Sequence, residues 1–231
     1  YKEAWKQTEK VQKDKGREAI GKEFRDMSDG KSWKKIKRSK MPQGRRCVKH
    51  KWVMKIKRTG IFRARLVACG YSQIPGVDFT DNFAPVINNV TYRILLVASI
   101  IWKLKTKIID FETAFLHSNL VQEIYMDCPE GLESTPDACV LWKKSIYALV
   151  QNARQFFKKL IQVLKSVGFK GSSANPCLMM KQCNKGIIFI ACHVDSCSCC
   201  GHEEAINKSI EQVKRSGFIL KVLYSKDKQK A

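Results

Sequence analysis

The sequence lacks the patterns that identify several common classes of protein. No stretch approaches the roughly 20 apolar residues that a membrane-spanning helix needs, so we expect no membrane segment. The first residues, Tyr1-Lys2-Glu3-Ala4, contain neither an initiator methionine nor a signal-peptide pattern, and we expect a piece of a longer protein. The ten cysteines are scattered rather than spaced as a disulfide framework, which indicates an intracellular, reducing compartment.

Acidic residues are also scarce. The chain has 21 Asp and Glu against 43 Lys and Arg, a formal charge of +22, and the imbalance is concentrated near its start. Residues 1–70 hold 23 basic and 7 acidic residues, a balance of +16, which leaves +6 for residues 71–231. A basic part joined to a nearly balanced part predicts a surface for polyanions such as nucleic acid. A solvated, highly soluble face is the alternative interpretation.

The basic part contains one predicted helix and one predicted hairpin. Apolar positions spaced as Ile20, Phe24 and Met27 favour an amphipathic helix over Arg17–Met27. Residues 47–69 alternate apolar and basic side chains on both sides of a turn at Arg58-Thr59-Gly60, which predicts a β-hairpin with one Lys- and Arg-rich face. Such a ribbon suits contacts with phosphates.

Further along, an apolar helix over Val90–Trp102, capped by Asn88 or Asn89, precedes a buried strand over Lys105–Phe111. The later predicted elements are strands at Glu123–Met126, Cys177–Lys181, Gly186–Cys192 and Phe218–Leu223, and helices at Gln151–Val167 and Glu203–Ser216. From Lys105 onward this order approximates a split βαβ, ferredoxin-like sheet. In such a sheet Asp110, at a strand end, lies near the hairpin turn that carries Asp195.

Two carboxylates on neighbouring strands beside a basic hairpin fit nucleotidyl transfer. Two Mg²⁺ ions about 3.5–4 Å apart activate the attacking oxygen and stabilise the leaving group in such reactions. Asp110 and Asp195 would hold these ions, with help from the carbonyl of Phe111. Taken alone, each Asp is also explained as a turn residue at the end of a strand.

Five ordered motifs then resemble one family. They begin at Arg63 (RARLVACGYSQ), Val77 (VDFTDNFAP), Ile109 (IDFETAFLH), Ile124 (IYMDCPEG) and Leu141 (LWKKSIYALVQ). Together they resemble the reverse transcriptase of copia-type LTR retrotransposon Pol polyproteins, over about residues 15–223. The resemblance implies an α+β, right-hand polymerase with fingers and a ferredoxin-like palm, and without a thumb.

The resemblance also implies boundaries, a reaction and partners. We expect a basic helical segment over 1–42, fingers over 43–104, a palm over 105–223 with a fingers excursion near 120–150, and a polar tail over 224–231. The implied reaction is addition of dNTPs to a DNA primer on an RNA or DNA template, with two Mg²⁺ as cofactors. The implied location is a cytoplasmic particle or the nucleus.

Individual roles carry over from the matching positions. Asp110 and Asp195 match the catalytic metal ligands, with Phe111 contributing its carbonyl. Arg63 and Arg65 match the region that contacts the incoming triphosphate, although a solvated strand face also explains them. The resemblance further assigns Phe115 as the bulky gate against a ribose 2′-OH and places Gln151 beside the nucleotide pocket.

The chain departs from the family pattern at its most important turn. His193 replaces a Tyr, and Ser196 replaces the second Asp of the Tyr-Val-Asp-Asp turn; Cys69, Ala148 and Gly16 depart elsewhere. A serine supplies no charge, so we expect polymerase activity to be strongly impaired. The thumb and the RNase H region are not matched, and we expect a truncated, degenerate copy.

Two other interpretations stay open. A zinc-binding module is suggested by Cys197 and Cys200, with Cys192, His193, Cys199 and His202 nearby, although structural zinc usually needs two such pairs. A non-catalytic remnant that binds nucleic acid through its basic face is the second. Salt-sensitive binding without dNTP incorporation would identify the remnant.

Overall fold

A computed structural model describes residues 10–112, 114, 118–132 and 134–225 of the protein. The chain divides into two compact units. The first unit comprises the described residues up to Asn82 together with Ser118–Gln155, and the second comprises those of Phe83–His117 and those from Phe156 onward. Within these ranges no helix combines the length and the apolar content needed to cross a bilayer.

The first unit pairs a long helix with the predicted hairpin. Helix α1 spans Lys10–Asp29, longer at both ends than predicted, and Ile20 and Met27 on its apolar stripe are buried. The hairpin is confirmed as β2, His50–Ile56, and β3, Phe62–Ala68, in antiparallel register. Phe24 of α1 contacts Trp52 of β2 edge-to-face, with ring centroids 5.2 Å apart.

A second sheet of the first unit was not predicted in full. Its order is β1-β6-β5, antiparallel, with bounds of Trp33–Lys37 for β1, Asn119–Asp127 for β5 and Ala138–Lys144 for β6. The segment 1–42, expected to be helical, therefore also contains a strand. The local pattern hides this strand because β1 has only Trp33 and Ile36 among three lysines, and its partner in β6 is about 100 residues away.

The second unit is built around a six-stranded antiparallel sheet of order β11-β4-β10-β9-β8-β7. Four of the five strands predicted from Lys105 onward are present in it, with small shifts at their ends, and the fifth, Glu123–Met126, lies within β5 of the first unit. The strands are β4 Lys105–Phe111, β7 Lys170–Gly171, β8 Leu178–Cys183, β9 Gly186–His193, β10 Ser196–Gly201 and β11 Leu220–Ser225. The helices of this part are α2 Asn89–Ile101, α3 Asn152–Ser166, whose first four residues belong to the first unit, and α4 Glu203–Arg215. The tail expected from residue 224 starts inside β11.

One face of this sheet forms the core with α3 and α4. Side chains alternate along a strand, so Ile109 and Phe111 of β4 point into the core while Asp110 points to the other face. Phe111 packs edge-to-face against Phe156 and Phe218, with centroids 5.6 Å and 5.1 Å apart. The packing of Phe111 therefore fixes the direction of Asp110.

Helix α2 contacts the opposite face of the sheet. Its N-cap is Asn88, whose side-chain oxygen accepts a hydrogen bond from the Thr91 N–H at 2.7 Å, so the first of the two predicted caps is the one used. The Tyr92 hydroxyl lies 3.0 Å from the Ser198 hydroxyl of β10. These contacts place α2 on the side of the sheet that carries Asp110.

Candidate functional site

The β9–β10 hairpin turns through Val194 and Asp195, as predicted for this stretch. Val194 has φ of 52°, in the left-handed region that β-branched residues rarely enter. A residue held there costs on the order of 1–3 kcal/mol and persists only where the surroundings impose it. The turn that carries the predicted metal ligand is therefore locally strained.

The sheet brings Asp110, Asp195 and Ser196 together. Ser196 lies directly opposite Asp110 in the β4–β10 register, and the Phe111 N–H donates to the Asp195 carbonyl at 2.9 Å. Because that hydrogen bond joins the neighbouring pair, Asp110 and Ser196 form a non-hydrogen-bonded pair, with Cα atoms about 4.5 Å apart and side chains on the same face. The Ser196 hydroxyl donates to the His193 carbonyl at 3.2 Å.

A row of polar residues crosses the sheet at this level. Lys221 of β11 lies opposite Asp110 on its other side, and His193 of β9 lies opposite Ser196. The Lys221 ammonium also forms an ion pair with the Glu112 carboxylate, two residues beyond Asp110. Sequence reasoning missed Lys221 and Glu112, although Lys221 interrupts the apolar strand Phe218–Leu223 at the level of Asp110.

The donor atoms of this site suit magnesium only in part. Across the described ranges no three His, Cys, Asp or Glu side chains are arranged to hold a metal ion. Magnesium usually takes one or two carboxylates and completes its shell with water and substrate phosphates, which Asp110 and Asp195 satisfy. Position 196, opposite Asp110, is a serine and adds no carboxylate to this pair.

In the first unit, strand β3 holds both predicted triphosphate ligands. Arg63 and Arg65 are half-buried on the face opposite Ala64 and Leu66, as the alternation predicts. The Arg65 guanidinium lies 4.5 Å from the centre of the Tyr147 ring, a cation–π contact. At the outer edge of β3, the Leu66 N–H donates a hydrogen bond to the Glu23 carboxylate of α1 at 3.3 Å.

Glu23 and Tyr147 were not predicted as part of this cluster. Burial raises the pKa of the Glu23 carboxyl to about 7, with Asp26 adding to the rise and the Leu66 N–H, Arg63 and Arg65 opposing it. Burial also raises the pKa of Tyr147. The available signal was an acid on the Ile20–Met27 apolar stripe, because a carboxyl on the buried face of a helix needs a hydrogen-bond partner.

Gln151 is 1% exposed, and both ends of its amide are occupied by the protein. Its Nε2 donates to the Asp78 carbonyl at 3.1 Å, and its Oε1 accepts from Gln73 Nε2 at 3.0 Å. Gln73 in turn accepts from the Val150 N–H at 2.8 Å. The role of Gln151 at a nucleotide pocket stays a prediction, and its contacts give it a structural role.

We expect the Gln151→Ala change to destabilise the first unit by about 1–3 kcal/mol, because Gln73 and the Asp78 carbonyl lose their buried partner. Urea unfolding measures this loss. Gln43→Ala, at an exposed position of the same unit, is the matched control and should change little. Full stability of the Gln151 variant would contradict the structural role.

Phe115, the predicted gate, lies outside the described residues. The cysteine cluster near the turn belongs to strand β10, where Cys197 and Cys199 enter the core. Cys200 is three positions from Cys197 and so points to the other face, where its sulfur lies 3.6 Å from the Thr106 hydroxyl. A chelating pair needs both sulfurs on one side, so this geometry argues against zinc.

Comparison with known proteins agrees with the motifs. The profile of the family described as reverse transcriptase (RNA-dependent DNA polymerase) matches residues 31–228. The retrovirus-related Pol polyprotein from transposon TNT 1-94 of Nicotiana tabacum is 32% identical over 191 residues, which cover 79% of this chain and 14% of that protein. That from transposon RE2 of Arabidopsis thaliana is 34% identical over 64% of this chain and 10% of its own length. The chain thus spans a small part of these relatives, and it belongs to the reverse transcriptase family.

Proposed function

We propose that the chain forms the fingers and palm of a retrotransposon reverse transcriptase whose active site has lost one carboxylate. The observation that carries this proposal is the pairing of Asp110 with Ser196, next to Asp195, at one level of the sheet. The strand order β11-β4-β10-β9, with α3 after β4 and α4 after β10, supports the ferredoxin-like palm. The basic hairpin of β2 and β3 is the proposed fingers element.

In this proposal the chain positions substrates around a weakened metal site. Bound Mg²⁺ would activate the primer 3′ oxygen and neutralise charge on the leaving pyrophosphate. Asp110 and Asp195 would hold the metal with the Phe111 carbonyl, and Arg63 and Arg65 would bind the dNTP triphosphate. The further roles, which rest on resemblance, are the gate at Phe115 and the pocket wall at Gln151. Ser196 offers a hydroxyl where a second turn carboxylate would add negative charge.

A non-catalytic nucleic-acid-binding remnant is the second candidate. The row across the sheet favours it, because the strand neighbours of Asp110 are the cationic Lys221 and the neutral Ser196. The basic residues of the first unit would bind the phosphates of the RNA template and DNA primer in either case. A cytoplasmic particle or the nucleus remains the proposed location.

Two measurements test the proposal: primer extension on an RNA template, and binding of the same primer–template duplex at several salt concentrations. We expect binding that weakens steeply as salt rises, and dNTP incorporation far below that expected of an intact site, with Mg²⁺ or Mn²⁺. Rapid incorporation by the natural chain would contradict the impairment. Absence of binding at low salt would overturn both candidates, and binding without any incorporation would select the remnant.

A further inference from the structure

A carboxyl group lies beside the two arginines that are proposed to bind the dNTP triphosphate. Glu23 of α1 accepts a hydrogen bond from the Leu66 N–H, at the edge of β3, at 3.3 Å. Its charge interacts with those of Arg63 and Arg65 in the same strand. Glu23 itself precedes residues 31–228, the segment that matches the family profile. Helix α1 therefore brings an acidic side chain into a proposed anion-binding site.

The protein orients one of these arginines and leaves it an unused donor. The Arg65 guanidinium lies 4.5 Å from the centre of the Tyr147 ring, a contact that fixes its direction and uses no N–H group. Its Nε is buried and, among the described residues, has no hydrogen-bond partner. The fork of N–H donors on an arginine matches the oxygens of a phosphate. Arg65 therefore retains hydrogen-bonding capacity for an oxyanion.

Glu23 is placed where its charge responds to its surroundings. The side chain is half-buried against β3, and burial is the largest of the causes that raise its pKa to about 7. Asp26, one turn along α1, adds to this rise, whereas the hydrogen bond from Leu66 and the two arginines oppose it. Tyr147 also faces Glu23, but burial raises the pKa of that phenol, which stays neutral at pH 7. Glu23 therefore changes charge near neutral pH.

We propose that Glu23 is an internal counter-anion of this site, and that a polyphosphate binds to Arg63 and Arg65 together with a solvent proton that neutralises Glu23. This role of Glu23 depends on the proposed triphosphate role of the two arginines. An ionised Glu23 offsets part of their positive charge and repels the phosphate oxygens. A protonated Glu23 leaves both arginines to the ligand and keeps the hydrogen bond from Leu66, because its carbonyl oxygen still accepts.

Thermodynamic linkage makes the coupling between the proton and the polyphosphate reciprocal. The factor by which neutral Glu23 strengthens polyphosphate binding equals the factor by which bound polyphosphate strengthens proton binding to Glu23. One charge close to the two arginines changes the affinity for a polyanion by on the order of tenfold. The same coupling therefore has two independent readouts, the affinity for the anion and the titration of the carboxyl.

Titration of inorganic tripolyphosphate into the whole chain, near pH 5.5 and near pH 8 in moderate salt, tests the proposal. The Cζ resonance of Arg65, observed by carbon NMR and identified by its loss in Arg65→Lys, reports binding at this site rather than at the other basic residues. We expect Glu23→Gln to bind about tenfold more tightly than the natural chain at the higher pH, and equally at the lower pH. Comparing two chains at one pH cancels the titration of the phosphate itself.

Glu18→Gln is the matched control, since it removes the same charge from an exposed position of α1, and it should bind like the natural chain at both pH values. A second measurement needs no substitution. In the natural chain, saturating tripolyphosphate should raise the pH at which the Glu23 carboxyl titrates by about one pH unit, which corresponds to the tenfold change in affinity.

Two outcomes separate the role of Glu23 from that of the arginines. Equal affinities of the natural chain and Glu23→Gln near pH 8, or a Glu23 titration that tripolyphosphate does not move, overturn the proton linkage and leave the arginine site intact. An Arg65 resonance that tripolyphosphate does not move at either pH overturns the proposed triphosphate site, and the role of Glu23 with it.

Discussion

Replacing Ser196 with Asp is expected to increase dNTP incorporation by on the order of 10²–10⁴. The new carboxylate would stand directly opposite Asp110, on the same face of the sheet and next to Asp195. It would add negative charge where a divalent metal is needed, and charge of this kind stabilises the transition state of phosphoryl transfer. Single-turnover primer extension in Mg²⁺ measures the gain.

Two variants separate this effect from a general change in charge. Ser173→Asp adds the same charge at an exposed loop position of the same unit and should leave the rate unchanged. Asp110→Asn, made in the Ser196→Asp background, should remove the gain. If Ser196→Asp binds duplex normally and gains no activity, the loss of function lies elsewhere in the chain.

The same substitution has a second readout that does not depend on turnover. Without metal, two like charges directly opposite each other on adjacent strands destabilise the sheet by about 0.2–1 kcal/mol. Metal binding reverses this cost, since an ion that binds only the folded state stabilises it. We therefore expect Mg²⁺ to raise the melting temperature of Ser196→Asp more than that of the natural chain.

Replacing Glu23 with Gln is expected to make the first unit more stable at pH 8 by about 2–3 kcal/mol, with little change at pH 4. The pKa of Glu23 is raised from its ordinary value of 4.5 to about 7 in the folded chain. The folded state thus binds more protons than the unfolded state between these values. The stability that the neutral Glu23 carboxyl contributes is fully present below pH 4.5 and is lost as the pH rises toward 7 and this buried carboxyl ionises.

Glutamine keeps an oxygen that accepts a hydrogen bond from the Leu66 N–H, and it does not ionise. The variant therefore does not lose stability as the pH rises. Urea unfolding at several pH values measures the difference between the two chains, and amide hydrogen exchange in β3 assigns it to this unit. Glu18→Gln, at an exposed position on the same helix, should follow the natural chain at every pH. Parallel pH profiles for the natural chain and Glu23→Gln would show that Glu23 is ionised and well solvated.

Elements with one buried face were predictable from the sequence. The β2–β3 hairpin alternates apolar and basic residues, whereas β4 and β9 were recognised as short apolar runs, and local pattern detects both kinds of strand. The approach of Asp110 to the turn followed from the split βαβ order, and the structure adds the register that sets it opposite Ser196. The resemblance then supplied a chemistry that two carboxylates alone would not have specified.

Contacts between distant segments were not predictable in the same way. Glu23 reaches the edge of β3 from 43 positions away, and β1 pairs with β6 although its own pattern is mostly lysine. The exposure of Val90, Ile94, Val97 and Ile101 on α2 was not predictable, because the sequence of an apolar helix does not show which of its faces is covered. Whether a residue is buried depends on which distant segments pack against it, and the local sequence pattern does not contain that information.

The buried cysteines of the second unit allow local opening of the fold to be measured by chemical labelling. Cys177, Cys192, Cys197, Cys199 and Cys200 are all buried, and burial raises the pKa of Cys177 to about 11 and that of Cys199 still further. Burial shields these five thiols from alkylating reagents while the unit stays closed, whereas Cys183 of the same unit is partly exposed. The rate at which these five thiols are labelled therefore reports how often the hairpin that carries Asp195 opens.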